Sequence, residues 1–269
     1  MTLGEVLSGA TDYLAARGVA SPRVDAELLL SRALGLQRIE LYTQHDRPLT
    51  EAERGEAREL VRRRGTREPL AYVLGDWGFR RLTLKTDTRA LVPRPETEIV
   101  VDRCLALLDG VEEPRVVDVG TGSGAIALSL KHERPDAVVL ATDSSPEALA
   151  LARENAAANG LEIELVQGDL LAGLGGPFDL VVSNPPYVLA AELAALEPEL
   201  GFEPEGALVD RGQTTRLIDE ARFGWLVLEV HEERAPEIAN ALRAAGYEDV
   251  RVTADLAGCD RVVEGRWTP

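Results

Sequence analysis

Ser183-Asn184-Pro185-Pro186-Tyr187 is the stretch of this chain best suited to chemistry. The side-chain carbonyl of Asn184 and a backbone carbonyl beside it, that of Pro185, can each accept one hydrogen of a planar NH₂ group. A nitrogen of that kind is a poor nucleophile because its lone pair is delocalised, so it gains more from orientation and polarisation than from a strong base. Pro185 keeps Asn184 out of helical geometry, and the two prolines lock the backbone with the adjacent carbonyl turned inward. Tyr187 can stack on the flat group. The constellation suits attack by a planar nitrogen on an electrophile held in line with it, helped by hydrogen bonds that strengthen as the nitrogen becomes positive.

A cofactor site is expected three strands earlier. Val116-Val117-Asp118-Val119-Gly120-Thr121-Gly122-Ser123-Gly124-Ala125 reads as a buried strand, a glycine-rich turn and the start of an apolar helix, the order of a nucleoside-binding loop. Glycines are needed there because the ligand lies directly on the backbone. Asp143, at the end of the next strand, is placed to accept both hydroxyls of a ribose. The spacing fits a nicotinamide dinucleotide as well as S-adenosylmethionine. Asp118 favours the methyl donor, because a carboxylate there suits a cationic amino-acid end better than a pyrophosphate. Asp169-Leu170, closing the third strand, would then border the adenine, and Asn184 would border the donor as well as the acceptor.

These residues need a scaffold that brings strand ends together. After Pro93, strands and helices alternate, the pattern of a mostly parallel sheet with helices on both faces. Strands are expected over 115–119, 138–142, 162–167, 178–183 and 225–230, with a late antiparallel pair at 249–254 and 260–264. Residues 1–75 are expected to form a small helical domain with three helices. Thr2 with Glu5 and Thr50 with Glu53 have capping-box spacing, Ser21-Pro22 opens the middle helix, and Leu28, Leu29, Leu30 and Leu34 form its buried side. Pro69 begins a further short segment. A β-hairpin over 76–92 is expected to link this domain to the 93–269 domain.

Composition narrows the classes. At 269 residues, 45% hydrophobic and 28% charged, the chain can bury a real core. Its apolar runs fall short of the roughly 18 residues that span a bilayer, and the N-terminus lacks the order of a secretory signal. A cytoplasmic protein with no membrane partner is expected. Cys104 and Cys259 with three scattered histidines offer neither a disulfide framework nor a metal site. A formal net charge of −17 disfavours nucleic acid as a partner. Arg62, Arg63, Arg64 and Arg67 form a local basic stretch, but among Glu56, Glu59 and Glu68 they read as a solvated helix face.

With these residues in view, the chain resembles the release-factor glutamine methyltransferases, the HemK or PrmC family. The resemblance rests on Glu68-Pro69-Leu70-Ala71-Tyr72-Val73-Leu74-Gly75, Pro93-Arg94-Pro95-Glu96-Thr97-Glu98, Gly120-Thr121-Gly122-Ser123-Gly124, Asn184-Pro185-Pro186-Tyr187, Phe202-Glu203-Pro204 and Asp260-Arg261-Val262-Val263. It implies an α/β fold of the Rossmann-like class I methyltransferase type, with a seven-stranded sheet and a small N-terminal helical domain. It also implies S-adenosylmethionine as cosubstrate, S-adenosylhomocysteine as product, and the glutamine of the Gly-Gly-Gln loop of peptide chain release factors as acceptor. By resemblance Thr97 lines the donor site and the N-terminal helices help hold the release factor; a monomer is expected. Two departures stand out. The segment between Val209 and Trp225 is short and lacks a Pro-Gly-Gly turn, and Glu229-Val230-His231 stands where Glu-Ile-Gly is usual. His231 reads as a surface substitution, since the mechanism needs no strong base.

Three other readings compete. A DNA or RNA adenine-N6 methyltransferase would present an equally planar amine, and the acidic charge counts against it. A nicotinamide dehydrogenase would need a proton donor where Asn184 stands. A non-catalytic nucleoside-binding module would have no use for the intact tetrapeptide.

Overall fold

The computed structural model describes residues 1–193 and 196–268, which fold into two compact units. The first comprises Met1–Asp76 together with Glu197–Phe202, and the second comprises 77–196 and the chain from Glu203 onward.

The first unit is helical: α1 Leu3–Ala16, α2 Pro22–Leu34, α3 Arg38–Thr43, α4 Glu51–Gly65 and α5 Leu70–Leu74. Thr2 and Glu5 cap α1 reciprocally, Oγ1 accepting the Glu5 N–H at 3.3 Å and the Glu5 carboxylate accepting the Thr2 N–H at 2.8 Å. Thr50 and Glu53 do the same for α4. Ser21 departs from expectation, for its side chain makes no capping hydrogen bond. Its backbone, at φ −124° and ψ 60°, is not extended, so Oγ is not carried over the first turn. Leu29 and Leu30 are fully buried, whereas Leu28 and Leu34 are only partly so. The short α3 was not expected. It buries only Leu41 and leaves Ile39 and Tyr42 exposed, so no apolar stripe announces it.

The four arginines are not a uniformly solvated face. Ala57, Val61, Arg64 and Gly65 share the buried side of α4, which takes the Arg64 side chain inside at 6% exposure. There Arg64 pairs with Asp25 at 2.7 Å and with Glu199 at 2.9 Å. Arg67 holds the same Glu199 through two hydrogen bonds of 2.7 and 2.6 Å, and Arg63 pairs with Glu68.

The second unit contains β1 Asp76–Phe79, β2 Leu82–Lys85, α6 Thr97–Leu107, β3 Arg115–Val119, α7 Ala125–Glu133, β4 Val138–Asp143, α8 Pro146–Ala158, β5 Glu164–Gln167, β6 Leu180–Ser183, α9 Glu205–Leu208, α10 Gln213–Glu220, β7 Trp225–Glu229, α11 Ala235–Ala245, β8 Glu248–Ala254 and β9 Asp260–Arg266, with β1 starting at the last residue of the first unit. Among the described residues β3 to β9 form a seven-stranded sheet of order β5-β4-β3-β6-β7-β9-β8. The β3, β4, β5, β6 and β7 pairings are parallel, and β9 runs antiparallel between β7 and β8. β5 and β6 each begin two residues later than the sequence pattern suggests.

Alternation along the strands divides the core. Val116, Leu180, Val182 and Val227 face Val100, Val101 and Leu128 of α6 and α7, while Val117, Val181, Leu226 and Leu228 face Leu217, Ile238 and Leu242 of α10 and α11. In the β1–β2 hairpin, Phe79, Leu82 and Leu84 are buried in the α6 and α7 layer. Strand order reverses between β3 and β6, and the crevice outside the carboxyl ends of the strands there is where such sheets bind ligands. No helix among the described residues is long and apolar enough to cross a membrane.

Candidate active site

A cavity of about 260 Å³ opens at this crossover. Its wall includes Gly120, Thr121, Gly122 and Ser123 after β3, Asp143 at the end of β4, Asp169 and Leu170 after β5, and Asn184, Pro185 and Pro186 after β6. Thr97, the first residue of α6, and Pro93-Arg94 complete one side. The structure therefore brings together most of the residues singled out from sequence. Asp118, Gly124 and Tyr187 stand outside the wall.

The glycine loop is shaped by its neighbours. Gly120 and Thr121 donate backbone N–H groups to the Thr142 carbonyl at 2.8 and 2.9 Å, which draws the turn over the end of β4. Gly120 has φ +72°, and a Cβ there would meet no atom within 4 Å, so the space beside its backbone is left open for a ligand. Gly124 has φ +87° and serves another purpose. A Cβ on it would come within 3.0 Å of Leu128 and 3.3 Å of Ala152, so glycine permits the close helix packing.

Asp118 lies behind the loop at 1% exposure and does not reach the cavity. One oxygen accepts from the Thr121 hydroxyl at 2.6 Å and the Ala127 N–H at 3.2 Å, while Oδ1 has no partner among the described residues. Burial pushes the carboxyl up to about 7, against these hydrogen bonds. Its geometry is that of a residue organising the loop from beneath. Asp143 does line the cavity. Its two oxygens accept the Gly122 and Ser145 N–H groups, each at 2.9 Å, and burial raises its pKa from the usual carboxylate value. Asp169 is exposed and faces Arg216 of α10 at 2.8 Å. Thus the short segment before β7 forms a helix whose Gln213 and Leu217 reach the cavity.

At the reactive end, Ser183 ties β6 to β3 by donating its hydroxyl to the Val119 carbonyl at 2.7 Å. Asn184 follows, and its Nδ2 donates to Thr97 Oγ1 at 3.4 Å. Tyr187 is half-buried, and burial first and the charge of Glu229 second raise its phenol. Its ring centroid lies 6.1 Å from that of His231, tilted by 44°. His231 is partly exposed beside Tyr187, and its Nδ1 accepts the Glu233 N–H at 3.4 Å.

Three supporting residues were given no role by the sequence reading. Fully buried Asn155 donates to the Ser123 and Lys85 carbonyls at 2.9 and 3.2 Å and accepts the Lys85 N–H at 2.7 Å, fastening the loop to β2. Buried Glu203 accepts the Val92 N–H at 3.1 Å and pairs with Arg94, fixing the segment beside Thr97. Glu229 ends β7 at 2% exposure, raised to about 7 chiefly by burial. The hydrogen bonds of Asn155 and Glu203 join segments far apart in the chain, and no local periodicity marks any of the three residues.

The fit to a nucleoside donor rests on the open space at Gly120 and on Asp143. Each Asp143 oxygen has a further lone pair available to a hydroxyl after its backbone contact. Taken with the crossover and the seven-stranded order, these features define a class I methyltransferase. Over 277 aligned residues the chain is 46% identical to the release factor glutamine methyltransferase of Deinococcus radiodurans, covering 99% of both chains. It is 40% identical to the enzyme of the same description from Geobacter sulfurreducens, covering 98% of this chain and 96% of that one. The chain belongs to the release factor glutamine methyltransferase family.

Family models agree by segment: one described as PrmC N-terminal domain matches residues 5–75, and one described as Methyltransferase small domain matches residues 100–213. Among solved structures, the catalytic domain of human METTL16 in complex with an RNA hairpin shares the fold at TM-score 0.59 and 16% identity, over 70% of this chain and 76% of that one. The Thermus thermophilus 16S rRNA N2 G1207 methyltransferase, in complex with AdoMet and guanosine, does so at TM-score 0.54 and 17% identity, over 72% and 50%.

Proposed function

We propose that the chain transfers the methyl group of S-adenosylmethionine to the side-chain amide nitrogen N5 of the glutamine in the Gly-Gly-Gln motif of peptide chain release factors. The observation that carries this reading is that Asn184 and Pro185 line the same crossover cavity as the glycine loop, in a chain alignable over 99% of its length with an enzyme of that description.

When bound, S-adenosylmethionine supplies a methyl group on a positively charged sulfur. Asp143 accepts from the ribose hydroxyls, Asp169 and Leu170 border the adenine, and the backbone of the glycine loop and Thr97 line the remainder. Asp118 supports the loop from behind. The Asn184 side-chain carbonyl and the Pro185 carbonyl accept the two hydrogens of the glutamine amide, and Tyr187 packs against its plane. One carbon–nitrogen bond forms as the carbon–sulfur bond breaks, and the nitrogen releases one proton. Acceptors already aimed at those hydrogens favour the transition state, because the bonds strengthen as the nitrogen becomes cationic.

Residues 1–75 serve in this reading as the domain that recognises the release factor, 76–92 as the connecting hairpin segment and 93–269 as the methyltransferase domain. The enzyme acts as a monomer in the cytoplasm, and its net charge of −17 turns it away from nucleic acid. The test is mass spectrometry of a purified release factor incubated with the enzyme and S-adenosylmethionine, with an Asn184→Ala variant and a DNA duplex present. One added methyl on the Gly-Gly-Gln glutamine, absent with Asn184→Ala, is expected. Methylated DNA beside an unmodified release factor would favour the adenine reading, and no transfer would leave a binding module.

A further inference from the structure

Glu229 is a buried carboxylate that the mechanism above leaves without a task. Because Ser183 pairs with Leu228 in the β6–β7 register, Glu229 and Asn184 leave the sheet side by side. The Thr97 hydroxyl and the Asn184 amide are the neighbouring polar groups that favour its ionised form, and its buried Oε2 has no hydrogen-bond partner among the described residues, so a lone pair there is open to the Thr97 hydrogen. The Asn184 amide also has a defined direction, its Nδ2 lying 3.4 Å from Thr97 Oγ1.

We propose that Glu229 is a positioning residue that decides which end of the Asn184 amide faces the substrate. The inference rests on the reading that Asn184 receives the substrate amide. An ionised carboxylate can only accept hydrogen bonds. Toward such a carboxylate the Thr97 hydroxyl can only donate its single hydrogen, which leaves its lone pairs for Asn184. Asn184 answers with its NH₂, and its carbonyl is left for the substrate. Donor and acceptor order is thus fixed along the path Asn184 to Thr97 to Glu229. A neutral Glu229 removes that direction: its own O–H can donate to Thr97, Thr97 can then donate to the Asn184 carbonyl, and the amide can turn over. An inverted Asn184 would point its NH₂ at the NH₂ it is meant to receive.

Activity should accordingly require the ionised carboxylate. Facing Glu229 are Arg261 of β9, which favours ionisation, Glu96 beside α6, which opposes it, and Tyr187 from the loop after β6. Since the group titrates near 7, kcat/KM should fall as pH drops through that value.

The experiment compares Glu229→Gln, Thr97→Val and Thr97→Ser with the wild type by methylation of a release factor across pH 5.5–9, and by calorimetric binding of S-adenosylmethionine. Glu229→Gln should lower kcat on the order of 10²-fold, the scale of a lost orientation. Donor affinity should change less than about threefold, and the acid limb should disappear. Thr97→Val should show the same loss of kcat and Thr97→Ser should restore it. A Glu229→Gln enzyme with wild-type kcat and an unchanged acid limb would overturn the inference. So would a Thr97→Val enzyme of full activity, which keeps the test open should Glu229→Gln fail to fold. Wild-type enzyme that methylates no glutamine would remove the functional reading and this inference together, whereas an active wild type indifferent to both substitutions would remove the inference alone.

Discussion

The carboxylate of Asp143 accepts the backbone N–H of Gly122 at 2.9 Å, so the residue that ends β4 also closes the glycine loop that follows β3. Donor site and loop conformation are thereby one structure. Asp143→Ala should weaken S-adenosylmethionine binding by about 10- to 100-fold, because a hydrogen bond to a charged group contributes about 1.5–3 kcal/mol. Asp143→Asn, which keeps the shape and one acceptor, should lose less. Isothermal titration with S-adenosylmethionine measures both, and an alanine variant with wild-type affinity would show that the carboxylate contacts no donor hydroxyl.

Asn155 tests how far the loop depends on the hairpin. Truncating it to alanine strands the Lys85 N–H and the Ser123 carbonyl in the interior. At about 1–3 kcal/mol for each buried group left unpaired, Asn155→Ala should destabilise the protein by about 2–6 kcal/mol. Urea unfolding checks the magnitude. A loss well below 1 kcal/mol would mean that water reaches both groups.

What the sequence made legible was local. A strand, a glycine turn and a helix occupy consecutive residues from Val116 to Ala127, and Asn184-Pro185-Pro186-Tyr187 is contiguous, so type and spacing were enough to find both. Asn155 and Glu203 act through bonds spanning 32 to 111 positions, so although Glu203 stands in a stretch that carries the resemblance, the role of neither could be read from type or spacing. Asp118 shows the opposite difficulty. Its position beside the loop was plain, but only packing decides that its side chain turns under the loop and away from the cavity. Glu197–Phe202 joins the helical unit through Glu199, whose partners lie 132 and 135 positions away. An arginine run on a helix that also carries four glutamates gives no hint of such a partner.

Arg64 provides a measurable contrast with its neighbour. Alanine at Arg64 would leave Asp25 buried without its cation, and breaking a buried pair in this way costs about 3–5 kcal/mol. Arg67→Ala should cost less, because Glu199 keeps Arg64 and the Arg67 side chain is partly exposed. Urea unfolding of the two variants side by side should rank them in that order. Equal losses would indicate that the Asp25 carboxylate finds another partner.

The two carboxyls that titrate near 7 make stability depend on pH in a definite direction. Burial raises Glu229 from 4.5 and Asp118 from 3.8 to about 7 in the folded chain. Between those values the folded protein holds protons that the unfolded chain has released, so stability falls as pH rises and levels off above about 7. For Glu229 alone the full change is about 3 kcal/mol, at about 1.4 kcal/mol per pH unit. Glu27 acts in another window. Burial pushes it up, but hydrogen bonds from Tyr42, Arg38 and Arg23 prevail and bring it to about 2, so its stabilisation is lost only as pH falls below about 4.5. Glu229→Gln carries no charge to bury and should therefore be more stable than the wild type at pH 8, with the difference shrinking towards pH 5. Urea unfolding at pH 5, 6, 7 and 8 gives the comparison. A variant less stable than the wild type at pH 8 would mean that the ionised carboxylate is well compensated in the folded site. The expected gain in stability, paired with the expected loss of kcat, would mark Glu229 as a residue held for orientation at the expense of the fold.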